Sequence, residues 1–314
     1  MNRKISFLII FLLLVAAFLA GSTAAKIKYG KGQGGPGATP SLVPEPTLPP
    51  FTPRKSARPE VKFFVMSFCP YGNQAEAGLE PVYRLLKDKV DWQPKYIVDD
   101  KKASCEQSCP YRVYDEARCQ ELVETQKVPD IETCKTYFPY KTAAECLEKE
   151  CLSLKPGEFS SLHGQQELNQ DVREICALKE AVGVGSGVLG AKLEEGILDK
   201  WWKFVSLVND KCNANDADSC WKEQAQTAGF ETGKISSCSQ SQIKNLLNAE
   251  ITEVQKYQVS GSPTVIINDT IYNGGRSPED YKKAICSAFE NPPEECSQSL
   301  GPESATTSGG CGTP

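Results

Sequence analysis

Residues 63–74 read FFVMSFCPYGNQ, an apolar, β-prone run that stops at Cys-Pro-Tyr-Gly. The run reaches back past Lys62 to Val61, and its dense hydrophobicity suits a strand covered on both faces in the middle of a sheet. Pro70 suits the first position of a helix, where its missing N–H costs nothing. Beyond it Leu79, Val82, Leu85 and Leu86 recur at helical spacing. VDWQPKYIV, residues 90–98, then reads as a second strand. Strand, helix, strand makes a βαβ unit with parallel strands.

The far end of the chain supplies the complement. SPTVIIN (262–268) reads as a strand entered through Pro263. DT (269–270) is a tight connection, IYNGG (271–275) is a partner strand, and SPEDYKKAICSAF (277–289) is a helix with a good start. Tyr281, Ile285 and Phe289 fall on one face of that helix. Between the two halves, about residues 100–258, helical patterns dominate, as in KTAAECLEKECLSL, LDKWWKFVSLVN and SQIKNLLNAEITEVQKYQV.

Fourteen cysteines are many for a reducing cytosol and indicate a disulfide-forming compartment. They cluster at 105/109/119, 134/146/151 and 176/212/220/238, with Cys286 and Cys296 closing the domain. Setting Cys69 and Cys311 aside leaves enough for six bridges, whose connectivity spacing alone does not give. CEQSC (105–109) in an oxidising compartment reads as two disulfide halves rather than a zinc site, and no metal or cofactor is expected. A formal net charge of −5 gives no electrostatic reason to expect nucleic acid.

The expected organisation follows. Residues 1–25 hold a short basic start and the apolar run Phe7–Ala20, a signal peptide or a membrane anchor. Residues 26–60 are a Gly/Pro-rich linker. Residues 61–296 are the folded domain, and 297–314 a flexible tail carrying Cys311. Either reading of the N-terminus puts the domain outside the cytoplasm, secreted or anchored.

The order βαβ, helical insertion, ββα, with FCPYG ending the first strand and SGSPTVIIN entering the third, resembles the thioredoxin superfamily. The implied fold is an α/β thioredoxin fold with a large, disulfide-rich helical insertion, similar to DsbA-type oxidoreductases. LHGQQELNQDVREICALKE (162–180) further resembles the signature of the gamma-interferon-inducible lysosomal thiol reductase family. The matching residues are His163, Gly164, Glu167, Glu174, Cys176 and Ala177, with Cys220 and Cys238 downstream. Two cysteines of that family have no counterpart near Leu162 and Leu168, and its active-site pair has become Cys-Pro-Tyr-Gly.

These resemblances imply an extracytoplasmic thiol–disulfide oxidoreductase or isomerase acting on disulfide-containing protein substrates. A membrane redox partner or a small thiol would complete the cycle. Cys69 is the candidate catalytic thiol, since a helix N-terminus stabilises the thiolate that performs exchange. Pro70, Tyr71, Gly72, Ser262, Pro263 and Thr264 are the candidate substrate-binding residues, with Pro263 implied to be a cis-proline facing Cys69. Gly72 replaces the second cysteine and leaves space beside the sulfur. Cys311 is the candidate resolving thiol, because a tether of about fifteen residues from Cys296 reaches roughly 20 Å.

The competing reading is a non-catalytic module that holds extended peptides beside Pro263. A third is an iron–sulfur carrier like the monothiol glutaredoxins, which the oxidising compartment opposes. His163, the only histidine, reads as part of a helix-entry turn. GSGVLG (185–190) lacks the strand that a nucleotide loop requires and reads as a helix–helix connection. Trp201 and Trp202 read as core with one exposed edge. Asn268-Asp269-Thr270 is a glycosylation sequon at a hairpin turn.

Overall fold

The computed structural model describes residues 51–182, 198–302 and 309–312. The N-terminal apolar run, most of the linker and GSGVLG lie outside the described residues. Among the described residues no helix is long and apolar enough to cross a membrane.

Strand β1 (Glu60–Val65) is buried from Val61 onward. Helix α1 (Pro70–Leu86) follows with Pro70 in its first turn. It packs closely on the C-terminal helix: a Cβ on Gly78 would lie 2.3 Å from the Arg276 carbonyl oxygen. Strand β2 (Asp91–Tyr96) runs parallel to β1, Glu60 opposite Asp91 and Val65 opposite Tyr96. It contains Pro94, which it tolerates because it is an edge strand.

The insertion opens with β3 (Asp99–Asp100), α2 (Lys101–Ser108), α3 (Glu116–Glu124), α4 (Ile131–Tyr137) and α5 (Ala143–Cys146). This part is cross-linked by Cys105–Cys151, Cys109–Cys146 and Cys119–Cys134 around its own small core of Cys109, Tyr140, Cys146 and Cys151. The two halves of CEQSC thus pair with different partners. The chain returns through β4 (Phe159–Ser160), antiparallel to β3. Helices α6 (Gln165–Val182), α7 (Asp199–Lys211), α8 (Ala217–Ala228), α9 (Thr232–Ser241) and α10 (Ile243–Lys256) follow. Cys176–Cys238 ties α6 to α9, and Cys212–Cys220 ties the end of α7 to α8.

These helices share the sheet's core. Phe63 of β1 stacks on Trp202 at 5.5 Å between ring centroids, Trp201 meets Trp202 edge-on at 5.0 Å, and Tyr83 of α1 lies 5.7 Å from Trp202. Both tryptophans are fully buried, so neither has the exposed edge expected. One core therefore spans βαβ unit and insertion, which is why a chain with so little sheet can hold so many helices.

The chain then forms β5 (Gly261–Ser262), β6 (Thr264–Ile267) and β7 (Thr270–Tyr272), and the sheet order is β2-β1-β6-β7. The β6–β7 turn is Asn268-Asp269 rather than Asp269-Thr270. Both central residues have positive φ, 46° and 61°, the conformation of a two-residue hairpin turn that Asn and Asp tolerate best. The Asn268 side chain is buried: its Oδ1 accepts from the Glu60 N–H (2.8 Å), and its Nδ2 donates to the Arg54 carbonyl (2.6 Å). A glycan on that nitrogen is incompatible with this packing, so the sequon is a structural turn.

Helix α11 (Pro278–Ser287) starts with a capping box between Ser277 and Asp280, and buries Tyr281, Ile285 and, just beyond it, Phe289. Cys286–Cys296 closes the domain. Both terminal boundaries need correction. The linker reading fails from Phe51, whose ring meets Tyr272 edge-on at 5.2 Å, and Ser56 bridges to Phe289. The flexible-tail reading fails at β8 (Cys311–Gly312), which pairs with β5.

Candidate functional site

The site is built where β1 gives way to α1. The Cys69 N–H donates to the Met66 carbonyl at 3.0 Å, so the chain turns sharply and Cys69 becomes the residue capping α1. Its sulfur accepts from the Gly72 N–H at 3.4 Å, one of the unpaired donors of the helix start. Across the cleft the Ser262–Pro263 peptide is cis, and the Ser262 carbonyl oxygen lies 3.5 Å from the Cys69 sulfur. The Ser262 hydroxyl accepts from the Met66 N–H at 3.2 Å. Thr264 donates its hydroxyl to the Gly261 carbonyl at 2.7 Å.

A Cβ on Gly72 would stand 2.7 Å from the Ser262 hydroxyl oxygen, so position 72 itself has no room for a side chain without moving Ser262. The second sulfur arrives from the tail. Cys69 and Cys311 form a disulfide, with their Cα atoms 6.0 Å apart. Strand β8 runs antiparallel to β5, Ser262 opposite Cys311 and Gly261 opposite Gly312. In this state Cys69 has no thiolate to offer a cluster. Pro70 and Tyr71 lie at the exposed rim. Tyr71 faces Gly309 of the tail, and Arg276 Nη2 donates to the Gly309 carbonyl at 2.6 Å.

Carboxylates of α6 brace the loop before Cys69. Asp171 Oδ1 accepts from the Ser67 N–H (3.0 Å) and hydroxyl (2.6 Å), and Glu167 Oε1 accepts from the Phe68 N–H (2.9 Å). Glu167 Oε2 also accepts from the Ser161 hydroxyl (2.7 Å) and the His163 N–H (2.9 Å), while His163 Nδ1 lies 2.7 Å from Glu167 Oε1. The His-Gly-x-x-Glu stretch is thus a helix-entry turn that supports the loop before Cys69. Deeper in, Glu174 bonds Tyr96 Oη (2.8 Å) and Gln170 (2.9 Å), and Glu76 accepts from Asn209 (2.7 Å).

All four acids are buried. Burial, reinforced by the Glu167 charge, pushes the Asp171 carboxyl well above the usual range against the Ser67 hydrogen bonds. Burial pushes Glu174 up to about 7, opposed by its Gln170 and Tyr96 partners. Glu76 is pushed well above its usual value by burial and then by Glu174.

Sequence reasoning missed Asp171, Arg276 and Gly309. Asp171 did leave a signal: it sits among Leu168, Val172 and Ile175, an acid within an apolar helical stripe. Arg276 and Gly309 left none.

A cysteine-capped helix facing a proline loop, on a β2-β1-β6-β7 sheet, defines the thioredoxin superfamily. Residues 87–286 match the family described as vacuolar sorting receptor thioredoxin-like domain, and the chain belongs to that family. The match begins after Cys69 and ends before Cys311. The chain is similar to vacuolar-sorting receptor 4 of Arabidopsis thaliana, 24% identical over 165 residues that cover 48% of this chain and 24% of that protein. It is also similar to vacuolar-sorting receptor 1 of Pisum sativum, 24% identical over 177 residues that cover 49% and 26%. The chain thus spans about a quarter of the length of these relatives. Among solved structures it is similar to the reduced form of the disulfide oxidoreductase DsbG from Mycobacterium tuberculosis, with a TM-score of 0.41, 14% identity, and 76% of this chain and 82% of that one covered.

Proposed function

We propose that this protein is an extracytoplasmic thiol–disulfide oxidoreductase or isomerase whose exchanging pair is Cys69 and Cys311. The observation that carries the reading is their disulfide, made between a helix-capping cysteine and a strand laid along β5. In a Cys-x-x-Cys site the second sulfur lies three residues on; here the tail supplies it, so Cys311 resolves mixed disulfides at Cys69. In one cycle a Cys69 thiolate attacks a substrate disulfide and one substrate sulfur leaves as thiolate. The Cys311 thiolate then attacks the Cys69 sulfur of the mixed disulfide, releasing the second substrate thiolate and forming Cys69–Cys311. The substrate gains the two electrons that the pair loses. The resemblance of residues 162–180 to the lysosomal thiol reductase signature supports the same class. Seven disulfides and relatives named as vacuolar-sorting receptors support a place in the secretory route, reached by a cleaved or retained N-terminal segment.

Equilibration in graded glutathione buffers, followed by alkylation and peptide mass mapping, tests the reading. Cys69 and Cys311 should open at a potential where the other six bridges stay closed. A pair that resists reduction as strongly as the other six would favour the second reading, a non-catalytic module that holds extended peptides. The β5–β8 pairing supports that alternative too, since it uses backbone strand addition, a common mode of peptide capture. The relatives' names point the same way.

A further inference from the structure

The tail does more than deliver a sulfur: it lies in the cleft as a peptide would, and its contacts state what the cleft accepts. Gly309 has φ of +119°, a conformation that residues with a side chain rarely adopt, and a Cβ on it would stand 2.6 Å from the Tyr71 ring. Arg276 holds the Gly309 carbonyl, and its guanidinium lies 5.8 Å from the centroid of the same ring. Tyr71 and Arg276 therefore close on the backbone two residues before Cys311. One residue before it, a Cβ on Gly310 would stand 3.0 Å from the Ser262 carbonyl oxygen, a tight contact with backbone. One residue after, a Cβ on Gly312 would stand 3.3 Å from the Ser260 carbonyl oxygen, a less crowded backbone contact.

We infer that the groove between Tyr71, Arg276 and β5 is a subsite for an extended cysteine peptide that lacks a side chain two residues before its cysteine and has little room for one directly before it, and that the tail is its resident competitor. The inference rests on the exchange reading of Cys69 and names its substrate class: segments of the form Gly-Gly-Cys, entered as a strand antiparallel to β5. Selection is strictest two residues before the cysteine, where the backbone conformation and the Tyr71 ring both exclude a side chain. It is weakest one residue after.

The test uses the full chain with Cys311→Ser, which leaves Cys69 without its disulfide partner. Two peptides, Ser-Gly-Gly-Cys-Gly-Thr and Ser-Ala-Gly-Cys-Gly-Thr, are each activated on cysteine as a mixed disulfide with a chromogenic aryl thiol. The Cys69 thiolate attacks the peptide sulfur, the peptide–aryl S–S bond breaks, and the aryl thiolate leaves with the electron pair and is counted by absorbance. Each rate is divided by the same peptide's rate with N-acetylcysteine. The Gly-Gly peptide should react at least about tenfold faster, the size of one steric conflict of about 1.4 kcal/mol. Tyr71→Ala should shrink that ratio. Equal normalised rates for the two peptides would overturn the subsite while leaving exchange at Cys69 intact. Failure of Cys69 to release aryl thiolate from either peptide, or from the bare aryl disulfide reagent, would instead overturn the exchange reading on which it rests.

Discussion

Gly72 and Ser262 occupy one space: a Cβ built on Gly72 would lie 2.7 Å from the Ser262 hydroxyl oxygen, and that hydroxyl is held by the Met66 N–H. The glycine of Cys-Pro-Tyr-Gly is therefore matched to the serine across the cleft. Gly72→Ala would ordinarily favour a helix. Here it should cost about 1–2 kcal/mol, because Ser262 must rotate and give up its hydrogen bond. In Gly72→Ala/Ser262→Ala the penalties should be less than additive by about 1 kcal/mol, as for side chains in contact. Denaturant melts of the four proteins check it; strict additivity would show that the two residues do not compete.

The buried acids set a pH dependence whose sign follows from their shifts. Glu174 is raised from 4.5 to about 7, and Asp171 and Glu76 are raised well above their ordinary values, so the folded state holds protons that the unfolded chain releases. The contribution is fully present below the unfolded values, near pH 4, and is lost as pH rises through the folded ones. Glu174 alone accounts for something on the order of 3 kcal/mol across that window. The melting temperature should fall between pH 5 and pH 8, and Glu174→Gln should flatten part of the fall. A pH-independent melting curve over that range would contradict the assignment.

The parts of this architecture that were legible in the sequence are those set by local pattern. Phe63-Phe64-Val65 and Val265-Ile266-Ile267 are apolar because they fill the centre of the sheet. Pro70 and Ser277-Pro278 mark helix starts by their own chemistry. The misreadings share a different cause, contacts between distant residues. Trp201 and Trp202 are both buried because Phe63 and Tyr83 come to meet them. Asn268 reads as a glycan acceptor until the Glu60 and Arg54 backbones claim its amide. The tail reads as flexible because its glycines bury no side chain; β8 is held by backbone pairing and by Cys69. At the site, Cys69 announced itself through its strand–Cys-Pro context. The clamp of Tyr71 and Arg276 on Gly309 did not, since nothing local links those three residues.

The Cys119–Cys134 bridge closes a loop of 15 residues between α3 and α4, far from the cleft in the chain's order of contacts. A loop of that size is worth about 3 kcal/mol in the chain-entropy account. Replacing both cysteines with Ala should loosen this part of the insertion, read as faster amide exchange over residues 116–137. Reduction of the Cys69–Cys311 pair should proceed at its wild-type potential, because the core of the insertion's first part is separate from the sheet's. A shifted potential would show that the two regions are coupled.

The last prediction concerns which sulfur an external thiol meets when the pair is oxidised. Cys69 is wholly buried, whereas Cys311 is partly exposed on the tail. Thiol–disulfide exchange requires a thiolate to approach one sulfur along the S–S axis and expel the other. Access therefore directs attack to Cys311, and the sulfur expelled is that of Cys69, whose thiolate is met by the Gly72 N–H at the start of α1. Burial and leaving-group stabilisation act in the same direction. Oxidised protein treated briefly with glutathione and then with excess maleimide should carry glutathione on Cys311 and maleimide on Cys69. The reverse labelling should be rarer by about tenfold or more, a ratio that a difference of about 1.4 kcal/mol between the two barriers already produces. Predominant glutathione on Cys69 would mean that the tail lifts away before exchange, and that the buried sulfur is the one that reacts first.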